Sequence, residues 1–210
     1  MGQQNRVLTE AMLRALCLPR GACVPVPPGT ALTPLAREYA NEHGLTVTLS
    51  EKIAEGGEKP EHMTHLNAAA LVPKTHPRIR LRGKLDSLEA LLLQTQALAM
   101  EQNRLETAQA LGEIFTLTQR ILAAEVKEEP LGPWTLMGLG SAALRAQSHV
   151  GTHPAPHAGL GRLCLALNFL RTQVRETELA ATGEIGRPDL LEALNRMSSA
   201  VHLLFLKELT

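Results

Sequence analysis

The sequence contains very few aromatic residues. Phe, Trp and Tyr together make up 2% of the 210 residues, whereas hydrophobic residues as a whole make up 44%. Aromatic and β-branched residues favour strands, while a core rich in Leu and Ala suits the packing of helix on helix. The composition therefore favours a mainly helical protein over a β-sandwich or barrel.

Cysteine is also scarce. The chain has three cysteines, Cys17, Cys23 and Cys164, and none of them forms a CxxC pair. Because three separate cysteines cannot build a disulfide framework, we expect a protein of a reducing compartment, the cytoplasm.

Net charge and long apolar runs are missing as well. The 21 Lys and Arg residues balance the 21 Asp and Glu residues, so the overall positive charge that is typical of nucleic-acid-binding proteins is absent. No stretch of 18 residues is uniformly apolar, and the first residues show no export signal. We therefore expect neither a nucleic acid nor a membrane as partner, and any polyanion must be bound by a local cluster of cations.

The first 55 residues predict a small α/β appendage. A short helix is expected at residues 7–18, and a second helix follows with Thr33 as its N-cap and Pro34 at its first position. The alternating segment LTVTLS predicts a strand. No internal repeat is visible.

The rest of the chain predicts a helical bundle. Residues 56–63 hold adjacent glycines, a proline and many charges, which predicts a linker. In residues 64–210, apolar side chains recur every three or four positions, as in helices that bury one face. Two long antiparallel helices are expected around a turn at Gln102 and Asn103, and the last helix is expected to start at Pro188.

A basic run precedes the first long helix. It places five cations within eleven residues: Lys74, Arg78, Arg80, Arg82 and Lys84. The three arginines alternate with apolar residues, so an extended conformation would align their guanidiniums on one side, where they could bind phosphate oxygens. The alternative interpretation is a solvated edge segment.

Two arginines also lie close to an apolar helix face. Arg171 and Arg175 are one turn apart on a helix whose preceding turns are the most apolar of the chain. A guanidinium near a core needs a partner, because removing an unpaired charge from water is costly. Asp86 and Glu178 are the available acids, so an ion pair between helices is one explanation of this pattern.

The last helix carries a polar column that includes Asn195 and His202 among apolar neighbours. A buried amide must be hydrogen-bonded, either to neighbouring residues or to a ligand. The sequence has no GxxxxGK[ST] loop, and a GxGxxA-like segment at 138–143 lacks a preceding strand. Histidines spaced four apart near residue 153 are separated by prolines, so no metal site is predicted there.

Taken together, these residues resemble the PduO/EutT-type ATP:corrinoid adenosyltransferases, and most closely their ethanolamine-utilisation branch. The resemblance runs through residues 64–92, 129–139, 167–178 and 187–201 and extends into the appendage. It implies a five-helix bundle in a homo-oligomer, a trimer or a dimer, with ATP and the corrinoid meeting between subunits. The implied reaction transfers the 5′-deoxyadenosyl group of ATP to cob(I)alamin and gives adenosylcobalamin and tripolyphosphate.

The resemblance also implies roles for individual residues. The implied ATP-binding residues are Lys74, Arg78, Arg175, Glu178 and Asn195. Asp86 would pair with Arg171 across the subunit boundary, and these two residues together with Arg175 form the implied catalytic set. The candidates for the apolar wedge that displaces the lower cobalt ligand are Trp134, Phe115 and Phe169. Trp134 is preferred, because Phe115 and Phe169 are expected to pack in the core.

Two features of the family are missing from this sequence. One is a Gly- and Thr-rich phosphate loop near the N-terminus, and the other is a cysteine cluster before residue 64. The resemblance therefore implies no resident metal, only the Mg²⁺ that accompanies ATP.

Partners and setting are implied by the same resemblance. A reductase and a B12-dependent acceptor enzyme such as ethanolamine ammonia-lyase are the implied partners, in the cytoplasm or at a bacterial microcompartment. The competing interpretation is a non-catalytic helical bundle that acts as an adaptor or ligand sensor.

Overall fold

The chain folds around two separate hydrophobic cores. The computed structural model describes residues 7–16, 18, 20–27, 29–49, 60–67, 70–148, 155–182 and 185–209. The two compact units are Met1–His76 and Pro77–Thr210. This division falls later than the predicted linker at 56–63, part of which lies outside the described residues, so the linker stays a prediction.

The first unit contains two successive strand–helix–strand segments. Their elements are β1 (Val7–Leu8), α1 (Glu10–Ala15), β2 (Cys23–Val26), β3 (Ala31–Leu32), α2 (Pro34–Glu42) and β4 (Thr46–Leu49). The strand β1 pairs in parallel with β3, and β2 pairs in parallel with β4. The predicted N-cap Thr33 is confirmed, since its hydroxyl accepts a hydrogen bond from the Ala36 amide at 3.2 Å.

The two strand–helix–strand segments share the order of their elements and the way their helices are capped. Thr9 caps α1 as Thr33 caps α2, with its hydroxyl accepting from the Met12 amide at 3.3 Å. Each threonine follows a leucine, but little else is shared between the two segments. No repeat is visible in the sequence because the similarity of the two segments lies in strand pairing and helix capping. A separate antiparallel hairpin, β5 (Met63–Asn67) and β6 (Ala70–Pro73), completes this unit.

The second unit is a helical bundle, as predicted. Its helices are α3 (Pro77–Glu101), α4 (Leu105–Lys127), α5 (Ser141–Ser148), α6 (Arg162–Ala180) and α7 (Pro188–Lys207). The described part of this unit thus contains five α-helices, besides a 3-10 turn at Ala158–Leu160. Both α4 and α6 pack on α3, and α7 packs on α5 and α6. Among the residues described, none of the helices has the length and apolar character that crossing a membrane requires.

The basic run is helical from Pro77 onward, so the prediction of an extended segment was wrong. Proline suits the first turn of a helix, where its missing N–H is not needed. In a helix, Arg78 and Arg82 lie one turn apart on the same face, and both bind the buried carboxylate of Glu125. The run is therefore divided between helix faces instead of being aligned on one side.

Candidate functional site

A cavity of about 670 Å³ opens beside α6 and α7. Four residues of the predicted site line it: Arg171, Arg175, Glu178 and Asn195. The first three lie on successive turns of α6, which places them on one face of that helix. The structure therefore brings these four predicted residues together.

A hydrogen bond inside the cavity connects the two helices. The Asn195 Nδ2 atom donates to Glu178 Oε1 at 2.5 Å. The Glu178 carboxylate thus has a hydrogen-bond partner within the protein, and the bond holds the Asn195 amide in one orientation. The polar column predicted on the last helix also reaches the cavity, because Ser198, Ser199 and His202 line it.

The cavity is basic. Its described lining contains three guanidiniums, those of Arg171, Arg175 and Arg196, and one carboxylate, that of Glu178, which leaves a formal charge of +2 with His202 neutral. None of the three arginines forms an ion pair or a side-chain hydrogen bond with any residue that the structure describes. Like charges held close together repel each other, and a bound anion relieves this repulsion. The arrangement suits a ligand with several negative charges.

Arg196 was missed by the sequence analysis. Its Nε atom is buried and has no hydrogen-bond partner within the described part of the chain. Adjacent helical residues point in directions about 100° apart, so Arg196 and Asn195 were not expected to share a site. They do so because the cavity extends around a half-buried side of α7 that includes both residues.

Arg78 lies outside the lining of this cavity. Its guanidinium binds Glu125, donates to Glu128 Oε1 at 2.5 Å and donates to the Glu125 carbonyl oxygen at 2.8 Å. Burial by itself lowers the pKa of Arg78, but the hydrogen bonds with both glutamates outweigh burial, and the pKa is raised. These contacts give Arg78 a structural role between α3 and α4. Its phosphate contact stays a prediction.

Asp86 is exposed on α3 and does not line the cavity. Among the described residues, no ion pair joins it to Arg171. Glu89 lies one turn further on the same side, with a buried Oε1 atom that lacks a hydrogen-bond partner in the described chain. Burial, with a contribution from the charge of Asp86, raises the pKa of Glu89. The pairing across subunits stays a prediction.

The other cations of the basic run are dispersed. Lys74 is exposed in the first unit, in the turn after β6. Lys84 Nζ binds Glu176 Oε2 at 2.7 Å, and with Arg80 it lines a different cavity of about 820 Å³ between α3 and α6. The run therefore does not form a single cluster in the second unit.

The aromatic residues only partly follow expectation. Trp134 is half-buried against the bundle core, as is Phe115, and neither lines the cavity. Phe169 is 54% exposed, so its expected core position was wrong. Phe205, 3% exposed, does line the cavity, one turn after His202 on the polar column. The sequence signal for Phe205 is its spacing of three residues from His202, which places both on the same side of the helix.

Within the described ranges, no three His, Cys, Asp or Glu side chains come together as a metal site would require. His149 and His153 of the spaced histidines lie outside these ranges.

Comparison with known proteins identifies the family. The family model described as cobalamin adenosyltransferase matches residues 56–208. The corrinoid adenosyltransferase EutT of Escherichia coli (strain K12) is 32% identical, over 97% of this chain and 92% of that protein. The protein of the same name from Salmonella typhimurium (strain LT2) is 31% identical, over 96% of this chain and 92% of that protein. No solved structure matches the chain. The resemblance indicated by the motifs is thus confirmed, and the chain belongs to the cobalamin adenosyltransferase family.

Proposed function

We propose that this chain transfers the 5′-deoxyadenosyl group of ATP to the cobalt of a reduced corrinoid, such as cob(I)alamin, and releases tripolyphosphate. The observation that carries this proposal is that Arg171 and Arg175 line the same cavity and form no ion pair in the described chain. The hydrogen bond between Asn195 and Glu178 lies in that cavity too. Family membership and the names of the relatives support the same activity.

The arginines act on the leaving group. The reduced cobalt supplies an electron pair to the ribose C5′ atom, the cobalt–carbon bond forms, and the bond from C5′ to the phosphate oxygen breaks with its electrons on tripolyphosphate. Negative charge on the phosphates increases along this path, so fixed guanidiniums at Arg171 and Arg175 stabilise the transition state more than the bound ATP. Since the substrate provides the nucleophile, no activated Ser, Cys or His of the protein is required.

Asn195 and Glu178 position the nucleotide. The carboxylate holds the amide in place, so the Asn195 side chain can contact the nucleoside without first being ordered. Mg²⁺ would accompany ATP and neutralise part of the charge on its phosphates. Among the described lining residues, Glu178 is the carboxylate that such an ion could approach.

The site is completed in a homo-oligomer, a trimer or a dimer. Asp86 of a neighbouring subunit pairs with Arg171, which agrees with the exposure of Asp86 and with the lack of an ion pair for Arg171 in its own described chain. Lys74 and Arg78 as phosphate contacts and Trp134 as the wedge against the corrinoid belong to the same proposal. A reductase supplies the electron, and the product serves a B12-dependent enzyme such as ethanolamine ammonia-lyase, in the cytoplasm or at a bacterial microcompartment.

The direct test is the absorption spectrum of the corrinoid. The protein is incubated with ATP and chemically reduced cobalamin, and we expect a light-sensitive product with a cobalt–carbon bond, together with one tripolyphosphate per corrinoid consumed. A protein that binds ATP but yields no such product would support the alternative, a non-catalytic adaptor or ligand sensor with the same fold.

A further inference from the structure

We infer that Arg196 is a third polyphosphate-binding residue of the cavity and that it contacts the triphosphate of the nucleotide from the side of α7. This inference rests on the proposed function, because it names the part of ATP that Arg196 binds.

The Arg196 guanidinium has no partner among the described residues. Its Nε atom is buried without a hydrogen-bond partner, and within the described ranges its terminal nitrogens join no hydrogen bond or ion pair. Guanidinium has five N–H donors, and a buried donor that stays unpaired costs free energy. Such a group in a folded protein calls for a partner, and none of the described residues supplies one.

The acids nearest in the sequence do not neutralise Arg196. Glu192 lies one turn earlier on α7, at a spacing that favours an ion pair, but it accepts a hydrogen bond from Ser141 Oγ at 2.5 Å and forms no ion pair with Arg196. Glu178, the carboxylate of the described lining, is held by Asn195. No described acid therefore neutralises the positive charge of Arg196, which is available to a ligand.

The charge of the cavity indicates which ligand group is bound. A complete corrinoid has neutral amide side chains and a single phosphodiester charge, which would leave most of the repulsion among three guanidiniums in place. A triphosphate carries several charges and offers pairs of oxygens that match the guanidinium fork. Because Arg171 and Arg175 extend from α6 and Arg196 extends from α7, the polyphosphate would be held by two helices.

The test uses Arg196→Gln in the full-length protein without corrinoid. Calorimetric titration with tripolyphosphate, ATP and adenosine separates the contribution of phosphate from that of the nucleoside. We expect about tenfold weaker binding of tripolyphosphate and ATP, which is the loss of one charged contact, and unchanged binding of adenosine. The matched control is Arg162→Gln, which removes the same charge at the exposed start of α6, outside the cavity, and should bind all three compounds as the parent does.

A second variant, Arg196→Lys, keeps the inference testable if Arg196→Gln does not fold. Arg196→Lys keeps the charge but loses the planar fork, and its affinity for tripolyphosphate should fall between those of the parent and Arg196→Gln. The inference is overturned if tripolyphosphate binds equally well to the parent and both variants, if adenosine binding falls in parallel, or if only the KM for the corrinoid rises. A parent protein that binds tripolyphosphate but transfers no adenosyl group would overturn the proposed function and leave Arg196 as an anion-binding residue.

Discussion

Asn195 Nδ2 donates to Glu178 Oε1 at 2.5 Å and so joins the last helix to α6 within the basic cavity. Asn195→Ala removes the hydrogen-bond donor from the half-buried Glu178 carboxylate, and it also removes the amide that positions the nucleotide. We expect the KM for ATP to rise about tenfold and the free energy of unfolding to fall by about 1–2 kcal/mol. Steady-state kinetics and denaturant unfolding measure the two effects.

Asn168→Ala is the control for this change. Asn168 lines the same cavity but has no side-chain hydrogen bond to the described residues. It should change both quantities much less. Equal losses in the two variants would mean that the shape of the cavity matters and the Asn195–Glu178 bond does not.

Arg175→Ala tests the stabilisation of the leaving group. We expect the rate at saturating ATP to fall at least tenfold, since one charged contact in the transition state contributes about 1.4 kcal/mol. Single-turnover formation of the adenosylated corrinoid gives this rate. Arg162→Ala, outside the cavity, should leave the rate unchanged. A normal rate for Arg175→Ala would remove Arg175 from the mechanism.

Asp86→Asn tests the pairing with Arg171 of a neighbouring subunit. Without its charge, the exposed side chain can no longer neutralise that guanidinium, so either assembly or the affinity for ATP should weaken. Sedimentation velocity and ATP titration measure these quantities. The pairing is wrong if the variant matches the parent in both.

Glu125→Gln tests the buried ion pairs between α3 and α4. The Glu125 side chain is 1% exposed and binds both Arg78 and Arg82, so the loss of its charge should cost about 3–5 kcal/mol of unfolding free energy. Glu128→Gln is the control, because the side chain of this other partner of Arg78 is 52% exposed and its loss should cost about 0–1 kcal/mol. Similar losses in the two variants would contradict the burial-based explanation.

Asp189 should make stability depend on pH. The Arg187 guanidinium, with help from the Leu131 amide, holds the pKa of the Asp189 carboxyl well below its usual range. A carboxyl with a lowered folded pKa stabilises the protein above its unfolded pKa, and this stabilisation is lost as the pH falls. The melting temperature of Asp189→Asn should therefore lie furthest below the parent at neutral pH and approach it below about pH 4. A difference that is constant with pH would argue against this ionic role.

Local patterns predicted the helices well. The N-cap at Thr33, the start of the last helix at Pro188 and the turn at Asn103, whose φ is +55°, all follow from the preferences of single residues. The basic run was interpreted wrongly because alternating charged and apolar residues also fit the start of a helix. In the structure, the packing of α3 against α4 and the buried Glu125 carboxylate determine that Arg78 and Arg82 face α4.

The sequence by itself determined that this protein is a helical bundle and that Arg171, Arg175 and Glu178 share one helix face, since helical spacing fixes which neighbours along the chain point the same way. Only the tertiary structure decided that Asn195 meets Glu178 and that Arg196 and Phe205 line the same cavity. These relationships depend on how α5, α6 and α7 pack together. Residues far apart in the sequence meet through that packing, and no local pattern records it.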